Sequence, residues 1–135
     1  MTLTALPSSA GSLHSVRFGL MTATAHADGT RTVVLLRGEA DYATTHALAD
    51  ILSWVTAWRS DDIVVDLADL NFIDTATVSV LAECRLLMEQ SGRKMMFRSP
   101  SSLAARLLSV SALTDCIETC ESLPTQSIPM GSGLR

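Results

Sequence analysis

The alternation of apolar and polar residues predicts a β-hairpin at the start of the folded part of the chain. One strand is predicted over residues 16–24, and the apolar run TVVLLRG (32–38) predicts a second, buried strand. Asp28-Gly29 lies between them and supplies residues that tolerate the positive φ angles of a tight hairpin turn. We therefore expect the first two strands to run antiparallel.

Apolar residues at helical spacing predict three helices after this hairpin. The first covers residues 42–58, the second begins at residue 74 or 75 and ends at 91–92, and the third opens at Pro100. The predicted apolar stripes are Leu48, Ile51, Leu52, Val55 and Trp58 in the first helix; Val80, Cys84, Leu87 and Met88 in the second; and Leu103, Leu107 and Val110 in the third.

Short β-prone runs separate the predicted helices. IVVDL (63–67) is a β-branched run typical of a central parallel strand, and KMMFR (94–98) is predicted to be a third buried strand. A short last strand is predicted over residues 116–119. Strand–helix–strand units require parallel strands joined by right-handed crossovers. The sequence therefore predicts an α/β fold: a mixed β-sheet with an antiparallel N-terminal strand at or near an edge, covered by about three to four helices.

Composition favours one globular domain. Of the 135 residues 47% are hydrophobic and 18% are charged, and the net charge is −4. The ten basic residues are scattered, which argues against nucleic acid or an anionic membrane as the main partner. Segments 1–14 and 122–135, rich in Ser, Pro and Gly, are expected to be flexible tails around a domain at 15–121. With no apolar run of about 20 residues and no secretory signal, a cytoplasmic location is expected.

The sequence offers little to suggest catalysis, a metal or a cofactor. It has no G-x-S-x-G, P-loop or G-x-G-x-x-G motif, and its three histidines fall in no metal or triad spacing. Cys84, Cys116 and Cys120 do not make a disulfide framework, and no His lies near the pair at 116 and 120. The cysteines are expected to be small buried hydrophobes, and the protein is not expected to be an enzyme or to hold a cofactor.

Two polar junctions follow predicted strands. In GEAD (38–41), Gly38 ends a strand and Asp41 caps the next helix in the simpler interpretation. Asp74 and Thr75 occupy the equivalent place after the next strand, and one of them is expected to cap the second helix. A hydroxyl there also lies beside free N–H groups and a positive helix end, where a phosphate is accommodated. Physics alone leaves both roles open, and both can hold.

Three segments resemble a STAS domain, and the resemblance is greatest to bacterial anti-anti-sigma factors (anti-sigma factor antagonists). They are GEADYATTHAL (38–48), IVVDLADLNFIDTATVSVL (63–81) and RSPSSLAARLLSVSALTDCIE (98–118). The patterns G-E-x-D and D-L-x-x-L-x-F-I-D occur in order and at matching spacing, and a segment that opens with S-P and ends with S-A-L (99–113) follows them. The resemblance covers roughly residues 16–120.

The resemblance implies a phosphorylation switch. In such proteins the unmodified form binds an anti-sigma factor that is a GHKL-type serine/threonine kinase, and so frees a sigma factor. The kinase phosphorylates the hydroxyl residue that follows the Asp, which breaks the complex, and a phosphatase restores it. Here that residue is Thr75. The implied partner-binding residues are Gly38, Glu39, Asp41, Asp74, Thr75, Ala76 and Thr77.

The switch segment departs from the family pattern D-S-[ST]-G-[LIV]-G, because this chain has DTATVS. Thr75 keeps the hydroxyl, whereas Thr77 and Ser79 stand where Gly is usual, and Thr77 is expected to add a branched side chain where a kinase approaches. The alternative function is a STAS module without phosphorylation, acting as a constitutive partner or scaffold subunit of a stressosome-like or lipid-transport complex. A small enzyme or nucleotide-binding domain is a third class, for which the Gly-rich loop is lacking.

Overall fold

A five-stranded mixed sheet with three α-helices makes up the fold in the computed structural model, which describes residues 14–118. The strands are β1 (His14–Phe18), β2 (Met21–Asp28), β3 (Arg31–Ala40), β4 (Asp62–Ile73) and β5 (Met95–Arg98). The helices are α1 (Thr45–Trp58), α2 (Thr75–Glu89) and α3 (Ser102–Val110), with 3-10 turns at Tyr42–Thr44 and Thr114–Cys116.

The strand order in the sheet is β1-β2-β3-β4-β5. β1, β2 and β3 are antiparallel neighbours, whereas β3, β4 and β5 are parallel. Each parallel connection contains a helix, α1 before β4 and α2 before β5, and because such crossovers have one hand the two helices pack side by side on one face. The predicted α/β fold, a mixed sheet with an antiparallel N-terminal strand covered by about three to four helices, is confirmed, and the antiparallel part consists of two pairings, β1 with β2 and β2 with β3.

The core lies between the sheet and these helices. On β4, Ile63 and Val65 point into the core cluster, and Val64 between them is fully buried on the opposite face. From the helices, the predicted stripe of α1 is buried through Leu48, Ile51, Leu52 and Val55. Within residues 14–118, none of the helices has the length and apolar character to span a bilayer.

The N-terminal hairpin differs from the prediction at one point. The segment predicted as a single strand, 16–24, is two strands joined by a tight turn at Gly19, whose φ of +59° is a backbone conformation that favours glycine. The predicted turn at Gly29 is confirmed, with a φ of +63° between β2 and β3. A lone Gly between apolar residues is compatible with a continuous strand, which is why the pattern missed the first turn.

Parts of the predicted helix stripes are not buried. Leu87 in α2 and both Leu103 and Val110 in α3 are exposed, so their assignment to the core is corrected. Met88 in α2 is buried as predicted, and the other buried apolar residues are Val78 and Leu81 in α2 and Ala104 and Leu108 in α3. α3 is only nine residues long, so a narrow strip suffices to anchor it, and small Ala104 allows a close approach.

The C-terminal part of the described chain holds one further correction. The strand predicted over 116–119 is a 3-10 turn followed by a single parallel bridge between Ile117 and Phe97. Residue 119 and Cys120 lie outside the described residues, as do the predicted tails except for residue 14, which begins β1.

Arg93, in the loop that precedes β5, forms side-chain hydrogen bonds with the backbone at the end of α1. Its guanidinium donates hydrogen bonds to the carbonyl oxygens of Thr56 (3.2 Å), Arg59 (2.7 Å) and Asp61 (2.9 Å). Carbonyls at a helix C-terminus lack partners inside the helix, so one side chain satisfies groups that would otherwise depend on water.

Candidate functional site

The two polar junctions of the sequence meet at the carboxyl end of the sheet. Ala40 and Ile73 are register partners on β3 and β4, so the residues that follow them leave the sheet side by side. The link is direct, because the Tyr42 amide nitrogen donates to Oδ2 of Asp74 at 2.9 Å. Ligand and partner sites of α/β proteins commonly lie at this end of the sheet, beyond the carboxyl ends of the strands.

Asp74 caps α2, as predicted. Its Oδ1 accepts hydrogen bonds from the Thr77 amide and from the Thr77 hydroxyl, each at 2.9 Å, and its backbone is extended at the N-cap position. The two oxygens of one carboxylate thus accept three hydrogen bonds, two inside α2 and one from the neighbouring turn.

Thr75 occupies the first position of α2 and its side chain is exposed. Within residues 14–118, the N–H groups of Thr75 and Ala76 donate to no other residue, because the cap carboxylate serves Thr77. These free donors and the positive helix end favour an anion at this position.

Thr77 is fully buried, with a relative exposure of 0%. Its hydroxyl is turned inward to Asp74, so the branched side chain does not crowd the surface beside Thr75. We therefore leave the Thr77 side chain out of the binding face that the sequence suggested. Ala76 is half-buried and Ser79, one turn along α2, is exposed.

Gly38 lies inside β3 and does not end it, contrary to the sequence interpretation. Its φ is +87°, and a Cβ atom built on it would stand 2.0 Å from the carbonyl oxygen of Leu20. The same oxygen accepts a hydrogen bond from the Glu39 amide at 3.0 Å. Glycine is therefore required because the β1–β2 turn packs directly on β3, at a bulge in the β3–β4 register.

Asp41 begins the 3-10 turn that leads into α1. The Thr44 hydroxyl closes this turn, accepting from the Asp41 amide and donating to the Asp41 carbonyl oxygen, each at 3.0 Å. The Oδ1 atom of Asp41 is buried and, within residues 14–118, has no hydrogen-bond partner. A buried carboxylate oxygen without a hydrogen-bond partner is costly to the folded state.

Large apolar residues surround this junction, and the sequence interpretation did not find them. Leu20, Tyr42 and Phe72 are exposed, and they come from the β1–β2 turn, the turn before α1 and the end of β4. Their exposure depends on how the turns and the end of β4 are placed in the fold, which the spacing of apolar residues does not indicate. A usable signal was present, since Leu20 and Tyr42 each adjoin a turn residue, Gly19 and Asp41, and turns rarely bury side chains.

Cys84 and Cys116 are free thiols, and burial raises the pKa of Cys84 despite the opposing charge of Arg93. Among the described residues, no group of three or more His, Cys, Asp or Glu side chains is arranged to hold a metal ion.

Comparisons with known proteins agree on the fold. A family model described as "Mlab, STAS domain" matches residues 23–121. A search of curated proteins gives no match.

Three solved structures share this architecture. An anti-sigma factor antagonist from Mycobacterium paratuberculosis is 20% identical, with a TM-score of 0.65 and coverage of 76% of this chain and 89% of that chain. The anti-sigma factor antagonist SpoIIAA in its unphosphorylated form is 17% identical, with a TM-score of 0.64 and coverage of 74% and 90%. The phosphorylated form of the Bacillus cell fate determinant SpoIIAA is 16% identical, with a TM-score of 0.57 and coverage of 82% and 95%.

Proposed function

This chain belongs to the STAS domain family, and from that premise we propose that it is an anti-sigma factor antagonist switched by phosphorylation at Thr75. The unphosphorylated protein binds a GHKL-type kinase anti-sigma factor in the cytoplasm and so frees a sigma factor. Phosphorylation of Thr75 breaks the complex, and a phosphatase restores the binding form. The solved structures of antagonists with this fold support the proposal.

The observation that carries this proposal is the exposed hydroxyl of Thr75 at the N-terminus of α2. It stands beside two free N–H groups and next to the Asp74 carboxylate that joins α2 to the turn at Tyr42. A kinase needs a hydroxyl that it can reach, and the cap holds the backbone around Thr75 in one conformation. The site therefore combines access with a fixed geometry.

A phosphate on Thr75 would change the charge of this surface sharply. It adds about 1.5–2 negative charges at pH 7, next to Asp74 and near Asp41. The helix end stabilises that charge within the free protein. A partner that packs apolar side chains or carboxylates here would be repelled, because it would have to desolvate the phosphate or approach a like charge.

A second candidate function is a STAS module that binds its partner without phosphorylation, as a subunit of a larger assembly such as a stressosome-like scaffold or a lipid-transport complex. The observation that favours it is the engagement of both Asp74 oxygens, together with Thr77 and Ser79 at positions where the family pattern has Gly. These contacts are compatible with a rigid binding surface as well as with one whose binding is switched by phosphorylation.

Phosphotransfer decides between the two functions. Candidate kinase-type anti-sigma factors from the same genome are incubated with ATP and the purified chain, and the phosphate is mapped by mass spectrometry. Thr75→Ala should abolish labelling, whereas Ser79→Ala, which removes an exposed hydroxyl from the same helix, should not.

Binding completes the test. Isothermal titration with the same anti-sigma factor should give a dissociation constant at least about tenfold weaker for Thr75→Glu than for the wild type, with Thr75→Ala close to the wild type. Equal binding of all three proteins would reject the switch. Co-purification of a transporter subunit or a large ring assembly, with no kinase, would favour the second function.

A further inference from the structure

Four exposed apolar side chains lie at the same end of the sheet as Thr75. We propose that Leu20, Tyr42, Phe72 and Leu103 form one docking surface for a protein that presents apolar side chains bordered by basic groups. That this protein is the anti-sigma factor rests on the proposed function. The surface itself follows from the contacts, burial and charges of the described residues.

Leu20 and Phe72 are brought together by the sheet. The carbonyl oxygen of Leu20 accepts a hydrogen bond from Glu39 on β3, and Glu39 is the register partner of Phe72 on β4. Because the alternating neighbours of these two residues, Ala40 and Ile73, face the core, the Glu39 and Phe72 side chains point away from it. Leu20 is 65% exposed and Phe72 is 43% exposed.

The surface extends from Phe72 toward α3 and toward α1. Phe72 and Leu103 line the same small pocket with Ser101, the N-cap of α3. On the other side, Tyr42 is held by its amide hydrogen bond to Asp74 and has 79% of its surface exposed. Four different chain segments thus place apolar side chains around the start of α2.

Single exposed apolar residues are common on protein surfaces and need no explanation. Here, however, residues from four separate segments converge, and two of them are aromatic. Aromatic side chains carry much of the binding energy in protein interfaces, because they bury a large area with few rotatable bonds. The backbone contacts that shape the candidate site therefore also fix the positions of these four apolar residues.

The charges beside the surface indicate the chemistry of the partner. Glu39 is exposed, and neither Glu39 nor Asp41 forms an ion pair within residues 14–118. The nearby Arg37 is already paired with Asp69, at 3.5 Å. Glu39 and Asp41 thus leave negative charge beside the surface that basic groups of the partner can neutralise.

The proposal is tested by substitutions with matched controls. Tyr42→Ala is compared with Val110→Ala, because both side chains are 79% exposed but Val110 lies at the far end of α3. Leu20→Ser is compared with Leu87→Ser, an exposed leucine of similar accessibility on α2. Glu39→Gln removes one negative charge beside the surface, and thermal unfolding of each variant confirms that it is folded.

Titration against the purified anti-sigma factor gives the outcome. Tyr42→Ala and Leu20→Ser should each weaken binding at least about fivefold, whereas Val110→Ala and Leu87→Ser should change it less than about twofold. Glu39→Gln should lower the association rate and reduce its dependence on salt. Loss of binding in Thr75→Glu with wild-type affinity in Tyr42→Ala and Leu20→Ser would overturn the surface and leave the proposed function standing.

The converse outcome is also distinguishable. If no anti-sigma factor binds, the proposed function fails, and the variants are compared for retention of whichever protein co-purifies stoichiometrically with the full chain. Selective loss in Tyr42→Ala and Leu20→Ser would then support the surface. Equal retention by all variants, or no co-purifying protein at all, would overturn it.

Discussion

The Tyr42 amide and the Asp74 carboxylate form a hydrogen bond of 2.9 Å that joins the turn before α1 to the start of α2. The same carboxylate caps α2 through Thr77. One side chain therefore holds both the turn before α1 and the first turn of α2, where Thr75 lies. The candidate switch residue therefore lies next to the group that organises its surroundings. A change at Asp74 should be felt in both turns.

Two substitutions of Asp74 distinguish its role as a helix cap from the contribution of its negative charge. Asp74→Ala should lower the free energy of unfolding by about 1–3 kcal/mol, because it removes a helix cap and leaves the Tyr42 amide and the buried Thr77 hydroxyl without an acceptor. Asp74→Asn keeps one acceptor oxygen and should cost less. Urea unfolding measures both, and faster amide exchange at Tyr42 should accompany the loss.

The matched control for this prediction is the cap of α3. Ser101→Ala removes one hydrogen bond, from the Ala104 amide at 3.1 Å, and should cost about 0.5–2 kcal/mol without altering exchange at Tyr42. Asp74→Ala with the exchange rate of the wild type at Tyr42 would show that the two turns are not coupled.

Gly38 is predicted to tolerate no side chain. Gly38→Ala combines a positive φ angle, which costs about 1–2 kcal/mol, with a Cβ only 2.0 Å from the Leu20 carbonyl oxygen, so the β1–β2 turn has to move. Gly29→Ala is the control, since it has a similar φ of +63° but open space around it. Chemical denaturation should show a clearly larger loss for Gly38→Ala, and equal losses would contradict the steric argument.

Much of the fold could be predicted because local signals and burial agree. The apolar stripe of α1 is the stripe that packs on the sheet, and the β-branched run 63–67 lies in the first half of β4. The turn at Gly19 could not be predicted from periodicity, since a single glycine fits a strand as well as a turn. Leu103 was assigned to the core because apolar residues usually are buried, and its exposure reflects tertiary placement that no local pattern contains.

The candidate site was located by the sequence only in part. The cap by Asp74 follows from residue type and position and is confirmed. The inward turn of Thr77 and the contact of Leu20 with Gly38 depend on how distant segments pack, so spacing could not indicate them. The role of Thr75 as phosphate acceptor stays a prediction.

Arg93 is predicted to be hard to replace, even by lysine. Arg93→Lys keeps the charge but cannot bond the carbonyls of Thr56, Arg59 and Asp61 together, because an ammonium lacks the planar fork of a guanidinium. Unfolding experiments should show a loss of about 1.5–3 kcal/mol for Arg93→Ala and a substantial part of it for Arg93→Lys. A fully stable lysine variant would mean that charge alone, without the fork, holds the end of α1.

Glu118 forms a salt bridge with each of two arginines on the sheet face that the helices leave uncovered. Its carboxylate accepts hydrogen bonds from Arg98 on β5 (3.0 Å) and from Arg31 on β3 (3.3 Å), so the two salt bridges together span β4 on the face that carries Val64. Burial by itself would raise the pKa of Glu118, but the hydrogen bonds and charges of the two arginines outweigh it and hold the pKa below its ordinary value. Folding therefore favours the ionised carboxylate.

The pH dependence of stability follows from the direction of that pKa shift. Because the pKa is lower in the folded than in the unfolded state, where it is about 4.3, the contribution of Glu118 is present above about pH 4.3 and is lost as the pH falls through the folded pKa. The stability gap between the wild type and Glu118→Gln, measured by urea unfolding, should therefore shrink from pH 6.5 to pH 3. All three side chains are partly exposed, so a double-mutant cycle with Arg98→Gln should give a coupling of at most about 1 kcal/mol at pH 6.5. A coupling that stays constant down to pH 3 would show that the salt bridges of Glu118 do not cause the pH dependence of stability.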